Sequence, residues 1–110
     1  MISVLKSKIH RAVVTECDLN YEGSISVDEA WLSLTEIREY EQVDVLNISN
    51  GNRFTTYAIK AEKGTKKIGI NGAAARLATV GDLVIILSYR HIEENQITPK
   101  PKIFTPEHHD

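Results

Sequence analysis

The stretch "VDVLNISNGNRFTTYAIKAE", Val43 to Glu62, constrains the fold of this chain more than any other. Asn50-Gly51 is the dipeptide favoured in type I′ hairpin turns, and both flanks are rich in β-formers, so an antiparallel hairpin is predicted. In its second strand, alternation places Arg53, Thr55, Tyr57 and Ile59 on one face and Phe54, Thr56, Ala58 and Lys60 on the other.

Other segments read the same way. Val4 to Thr15 is extended, since Val13 and Val14 are β-branched and Ile9 lies between polar residues. "DLNYEGS" breaks that strand and "SISVD" resumes it. Asp28 then caps a short helix, "EAWLSLTEI", predicted to turn Ala30, Leu34 and Ile37 to one side with Trp31 close by. "EKGTKK" is a turn, "IGI" a short strand, and "NGAAARLA" a glycine turn into a second short helix. "VGDLVIILSYRHI" predicts a tight turn and a buried strand. Ile103 and Phe104 are candidates for a last edge strand before the tail "PEHHD". Many short strands with two short helices make a mainly β fold, closed or nearly closed.

The chain has 110 residues, 42% of them hydrophobic, enough for a single domain with a modest core. Charged residues make up 25% and the net charge is −2, which argues against disorder and against a polyanion-binding surface. Cys17 is the one cysteine, so no intrachain disulfide can form and a reducing cytoplasm is the expected setting. Lys6, Lys8, His10 and Arg11 interrupt the N-terminus, which therefore lacks the apolar core of a signal peptide. The purest apolar run, Leu83 to Leu87, is far below the roughly 18 residues of a membrane span.

Several patterns carry ordinary explanations. Gly69-x-x-Gly72 resembles a loop that clamps nucleic-acid backbone, yet its interior, Ile70-Asn71, lacks the usual basic residue. A turn using positive φ is the simpler reading, with backbone amides at a helix start as the functional alternative. His108-His109 beside Asp110 has no fixed ligand geometry, and His10 and His91 have no partner at ligand spacing, so no metal site is expected. Tyr57 and Arg53 offer a proton donor and a carboxylate fork on one strand face, but packing and a surface charge explain them equally.

"NYEGSISV" is less ordinary, because it sets Gly23, the least hindered acyl group, directly before the hydroxyl nucleophile Ser24. "KIHRAVVTECDLNYEGS", "NGNRFTTYAIKAE" and "INGAAARLATVGDLVII" occur in this order with the spacing of pyruvoyl-dependent aspartate 1-decarboxylases. The chain resembles that family from its N-terminus to about Tyr89.

The resemblance implies a small double-psi β-barrel, assembled as a homotetramer with active sites near subunit boundaries. It implies a proenzyme that cuts itself before Ser24 into chains 1–23 and 24–110, with or without a maturation factor. The Ser24 hydroxyl attacks the Gly23 carbonyl, and the ester eliminates to leave a pyruvoyl group on the new N-terminus. That ketone forms a Schiff base with L-aspartate and serves as the electron sink for loss of CO2, giving β-alanine for pantothenate and coenzyme A synthesis, with no metal and no pyridoxal phosphate.

Residue by residue, Tyr57 resembles the donor that returns a proton to Cα. Thr56, Gly72, Ala73 and Ala74 resemble substrate-binding positions, with Asn71 supporting the pyruvoyl end. Arg53 and Lys8 are the cations for a dicarboxylate, their division between the two carboxylates left open, and Tyr21 and His10 are supporting residues. Two other readings stay beside this one. An unprocessed barrel with a structural or regulatory role is one, and a small β-barrel module binding nucleic acid is the other.

Overall fold

A computed structural model describes residues 1–106; His108, His109 and Asp110 lie outside the described residues. The strands are β1 (Ile2–Val13), β2 (Glu16–Asp18), β3 (Ser24–Asp28), β4 (Gln42–Asn47), β5 (Arg53–Ala61), β6 (Ile68–Asn71), β7 (Leu83–Ile92) and β8 (Lys102–Phe104). One α-helix, α1 (Glu29–Thr35), follows β3, and a 3₁₀ turn (Gly72–Leu77) follows β6.

The eight strands form one sheet in the order β2-β6-β3-β5-β4-β7-β1-β8. One continuous run of chain supplies β2 at one end and β1, next to β8, at the other. β1 pairs with β7 and β8, and the same run, continued as β2, pairs with β6 at the far end. The handover takes two residues. Val14 donates its N–H to Asp82 and accepts from Gly81, whereas Thr15 donates its N–H and hydroxyl to Ile68 and accepts from the Ile68 N–H. The sheet therefore closes into a barrel. Inside it Ile9, Ile25, Ile68, Ile70 and Ile86 are fully buried, each such side chain contributing ~1.5–3 kcal/mol.

The hairpin is present, with β4 antiparallel to β5, but its turn is not type I′. Gly51 has φ +82 while Asn50 is not left-handed, and the loop spans residues 48–52. Gly51 N–H bonds to Asn47 O and Asn47 N–H to Asn52 O, so asparagine backbone and side chains set the longer loop. The helix face is also corrected. Trp31, Leu32 and Thr35 are buried, whereas Leu34 is exposed. The helix stops after two turns at left-handed Glu36, so buried Ile37 reaches the core from outside it. Phe104 packs on Trp31 with ring centroids 5.9 Å apart, fixing the edge strand β8.

Asp28 joins the helix to the turn before β6. Its carboxylate accepts N–H groups from Ala30, Gly64 and Lys66 at 2.7–3.2 Å, as the expected cap and more. Burial pushes this carboxyl up, but those three N–H donors and the Lys63 charge outweigh it and hold it below its ordinary 3.8. The stabilisation is thus complete at neutral pH and is lost as pH falls below 3.8 and through the folded value. Replacing Asp28 by Asn should cost about 2 kcal/mol in urea unfolding at pH 7 and flatten the loss of stability in acid. Equal stability and an unchanged acid limb in the variant would contradict this role.

Candidate active site

β3 enters the barrel at Ser24, between β6 on one side and β5 on the other. Ser24 stands opposite Asn71, and Ile25 opposite Ala58, which puts Tyr57 level with Ser24 one step beyond the last parallel pair. Ser24 is 1% exposed and Asn71 4%. The Asn71 amide donates one hydrogen bond to Ser24 Oγ and one to Ser26 Oγ, each 3.0 Å. The Ser24 hydroxyl in turn donates to the Glu22 carbonyl at 3.1 Å. With donor and acceptor both engaged, the hydroxyl has one orientation.

Gly72 has φ +76, and a Cβ there would lie 2.6 Å from Gly23 Cα and 2.8 Å from Gly23 N. The start of the 3₁₀ turn is therefore pressed backbone to backbone against Gly23 on its N-terminal side, one bond short of the Gly23–Ser24 peptide. A Cβ on exposed Gly23 would meet nothing within 4 Å beyond its chain neighbours, so the case for glycine there rests on the adjacent hydroxyl alone. Residues 69–72 are all buried, which removes Gly69-x-x-Gly72 as a solvent-facing clamp. Ala73 is exposed and Ala74 half-buried beyond it. The far end of the turn is tied to the hairpin loop, because Asn47, Asn50 and Asn52 donate their amides to Leu77 O at 3.1–3.3 Å.

Ser24 opens into a cavity of about 280 Å3 whose walls include Tyr21, Glu22, Tyr57, Tyr40, Glu39 and Lys60. A shallower hollow of about 560 Å3 adjoins it, bordered by Tyr40, Gln42, Thr55, Thr56 and Tyr57. Thr56 thus faces the neighbouring hollow. Tyr40 and Glu39 carry no motif, and Lys60 lies in one without a role assigned to it, so sequence reasoning missed all three.

The expected cations are elsewhere. Arg53 borders a separate hollow with Asp44, Leu46, Phe54 and Thr55, four residues and ~13 Å along β5 from Tyr57. Lys8 is level with Leu87, Asp44 and Thr55, three strands from β5, or ~14 Å around the barrel. His10 does not border the Ser24 cavity either, and its Nδ1 is buried without a hydrogen-bond partner among the described residues. Within one chain the cavity therefore offers Glu22 and Glu39 against Lys60 alone, a poor match for a dianion.

Cys17 behaves as a small packing residue, its thiol half-buried, donating to Ala78 O at 3.4 Å and pushed up by burial and by Asp82. Among the described residues no group of three or more His, Cys, Asp or Glu is placed to hold a metal, and no helix is long and apolar enough to cross a membrane.

The sequence profile of the aspartate decarboxylase family matches residues 1–110. The chain belongs to that family. It is 58% identical over 92 residues to an aspartate 1-decarboxylase of Maricaulis maris, covering 84% of this chain and 76% of that one. It is 54% identical to one of Pseudomonas aeruginosa (91% and 80% covered) and 51% to one of Polaromonas naphthalenivorans (96% and 85%). A computationally designed double-psi β-barrel superposes with TM-score 0.52 at 20% identity, over 79% of this chain and 99% of the design. The barrel described above is of that double-psi type.

Gly72 and Gly64 separate backbone strain from close approach. Both are left-handed, φ +76 and +89, but a Cβ at Gly64 meets nothing. Gly64→Ala should cost about 1 kcal/mol and Gly72→Ala about 3 kcal/mol or more, read as unfolding midpoints. Equal costs would mean that the contact with Gly23 is loose.

Proposed function

We propose that this chain is an aspartate 1-decarboxylase whose electrophile is a pyruvoyl group made from its own Ser24. The observation that carries the reading is the buried Ser24 hydroxyl, held by Asn71 beside a Gly23 backbone that Gly72 presses into place. Ser24 Oγ adds to the Gly23 carbonyl and the C–N bond breaks, turning the peptide into an ester with a free amine on Ser24. Loss of the Cα proton expels the Gly23 carboxylate from Cβ, leaving dehydroalanine. Water then replaces nitrogen, ammonia departs, and chains 1–23 and 24–110 remain. Thr56 polarising the carbonyl belongs to this step by family likeness, as does the help of a maturation factor.

The pyruvoyl ketone supplies an electrophile for the substrate amine and a sink for the electrons left when CO2 departs. The chain's own residues do the rest. Tyr57, level with Ser24 in the same cavity, holds the proton for Cα. Asn71, whose amide bonds the Ser24 oxygen before cleavage, is left beside the new terminus once that oxygen departs with the Gly23 carboxylate, and Gly72, Ala73 and Ala74 bring small-residue backbone towards the substrate. Tyr21 walls the cavity.

Two carboxylates on L-aspartate require cations that one chain does not bring to its own Ser24. Arg53 and Lys8 of a neighbouring copy meet that need in a homotetramer with sites at subunit boundaries, with His10 as a supporting residue. A cytoplasmic setting, where β-alanine enters pantothenate synthesis, fits the lone thiol.

Purified protein should convert L-aspartate to β-alanine and CO2 in equal amounts, and Ser24→Ala should not. In fully processed protein, Tyr57→Phe should lower kcat by roughly 10²–10⁴-fold with less effect on KM. A near-normal kcat would remove Tyr57 from the mechanism. If sites are shared, co-expressed Ser24→Ala and Arg53→Ala chains should recover activity that neither has alone. No recovery in mixed assemblies would place each site within one chain.

A further inference from the structure

Four non-glycine residues among those described have left-handed backbone, each at a local feature of the chain. Arg11 sits in the β1 bulge between Ile9 and Ala12, Glu36 ends α1, and Lys66 presents its N–H to Asp28. Tyr40, at φ 70, is the third residue of the turn that the Glu41 N–H closes on Arg38 O at 3.1 Å, where glycine or asparagine is the usual choice and tyrosine is not. Burial does not account for it, since Tyr40 is 72% exposed.

What Tyr40 touches is Tyr57. Their ring centroids are 6.3 Å apart with planes tilted by 45°. The same two residues are common to the Ser24 cavity and the adjoining hollow, so the ring pair forms the wall between them. The backbone carrying Tyr40 is clamped: Tyr40 N–H donates to Ala58 O at 2.6 Å, and Ala58 N–H to Glu41 O at 3.0 Å. Glu39 accepts the Lys60 N–H at 3.0 Å. The Glu41 carboxylate is anchored in turn by Lys6 Nζ at 2.9 Å, Ser88 Oγ and the Arg38 N–H.

We propose that Tyr40 is a positioning residue of this active site: the clamped 38–41 turn holds its ring against Tyr57, which fixes the plane of the Tyr57 phenol towards Ser24. The inference rests on the reading of Tyr57 as proton donor. Tyr57 is only half-buried, so the barrel alone leaves its ring room to rotate, and proton transfer is sensitive to small misplacements. Strain of this kind persists where surrounding contacts over-determine it, as they do here.

The test compares Tyr40→Gly and Tyr40→Phe with wild type as full-length, processed protein. Tyr40→Gly relieves the backbone, so Tm should be no lower than that of wild type, with processing and assembly intact. Its kcat for L-aspartate should nevertheless fall roughly tenfold, with KM changed by no more than about twofold. Tyr40→Phe keeps the ring and should restore kcat. In a Tyr57→Phe background, Tyr40→Gly should cost almost nothing further. An unchanged kcat in Tyr40→Gly, an equal loss in Tyr40→Phe, or a fall in Tm or in oligomer size would each overturn the proposal. Wild-type protein that does not decarboxylate aspartate would overturn the functional reading and this inference with it. An active wild type, damaged by Tyr57→Phe but not by Tyr40→Gly, would overturn this inference alone.

Discussion

Val14 and Thr15 hydrogen-bond to opposite ends of the sheet, and that handover holds the molecule in its shape. Thr15 fixes Ile68, the first residue of β6, and Asn71 and Gly72 follow from β6 in register with β3. Without closure β6 would be an edge, and the amide of Asn71 would have no fixed distance to Ser24. Barrel closure and site assembly are thus one event, driven by burial of the isoleucines inside.

The surroundings of Ser24 suit a reaction of the chain upon itself. The hydroxyl is buried and singly oriented, and the residue before it is pressed by a glycine whose replacement has no space. Glycine at position 72 is demanded by the fold. The fold does not demand glycine at position 23, where a Cβ would meet nothing within 4 Å beyond its chain neighbours. The cavity then leads outward past Tyr57 to a mouth with too little positive charge for a dicarboxylate. On the function proposed, a single chain would be electrostatically half a site and assembly would be part of the chemistry.

How much of this was legible in the sequence depends on the range of the forces involved. β-Branched alternation marked most strands correctly, and Asp28 as a cap was readable because capping is local. β2 was not, since Glu16, Cys17 and Asp18 are strand only through pairing with β6. The Asn50-Gly51 turn type failed because Leu77 O collects three asparagine amides and favours a longer loop. The face of α1 failed because the helix ends too early for a periodic stripe. In the site, Gly23, Ser24, Asn71, Gly72 and Tyr57 lie in motifs and are brought together. Lys8, His10 and Arg53 also lie in motifs, but one chain keeps them apart from Ser24. Tyr40 and Glu39 reach the cavity through a turn anchored by Lys6 and Ser88, 35 and 47 residues from Glu41, so no local signal marked them.

Conversion of Ser24 into the electrophile is read from the intact mass of the purified protein under denaturing conditions. Two species are expected, 1–23 and 24–110, the larger lacking a free N-terminal amine and matching a pyruvoyl terminus. Ser24→Ala should remain whole. A single 12.3 kDa chain after prolonged warm incubation, also in the presence of a cell extract able to supply a maturation factor, would contradict it.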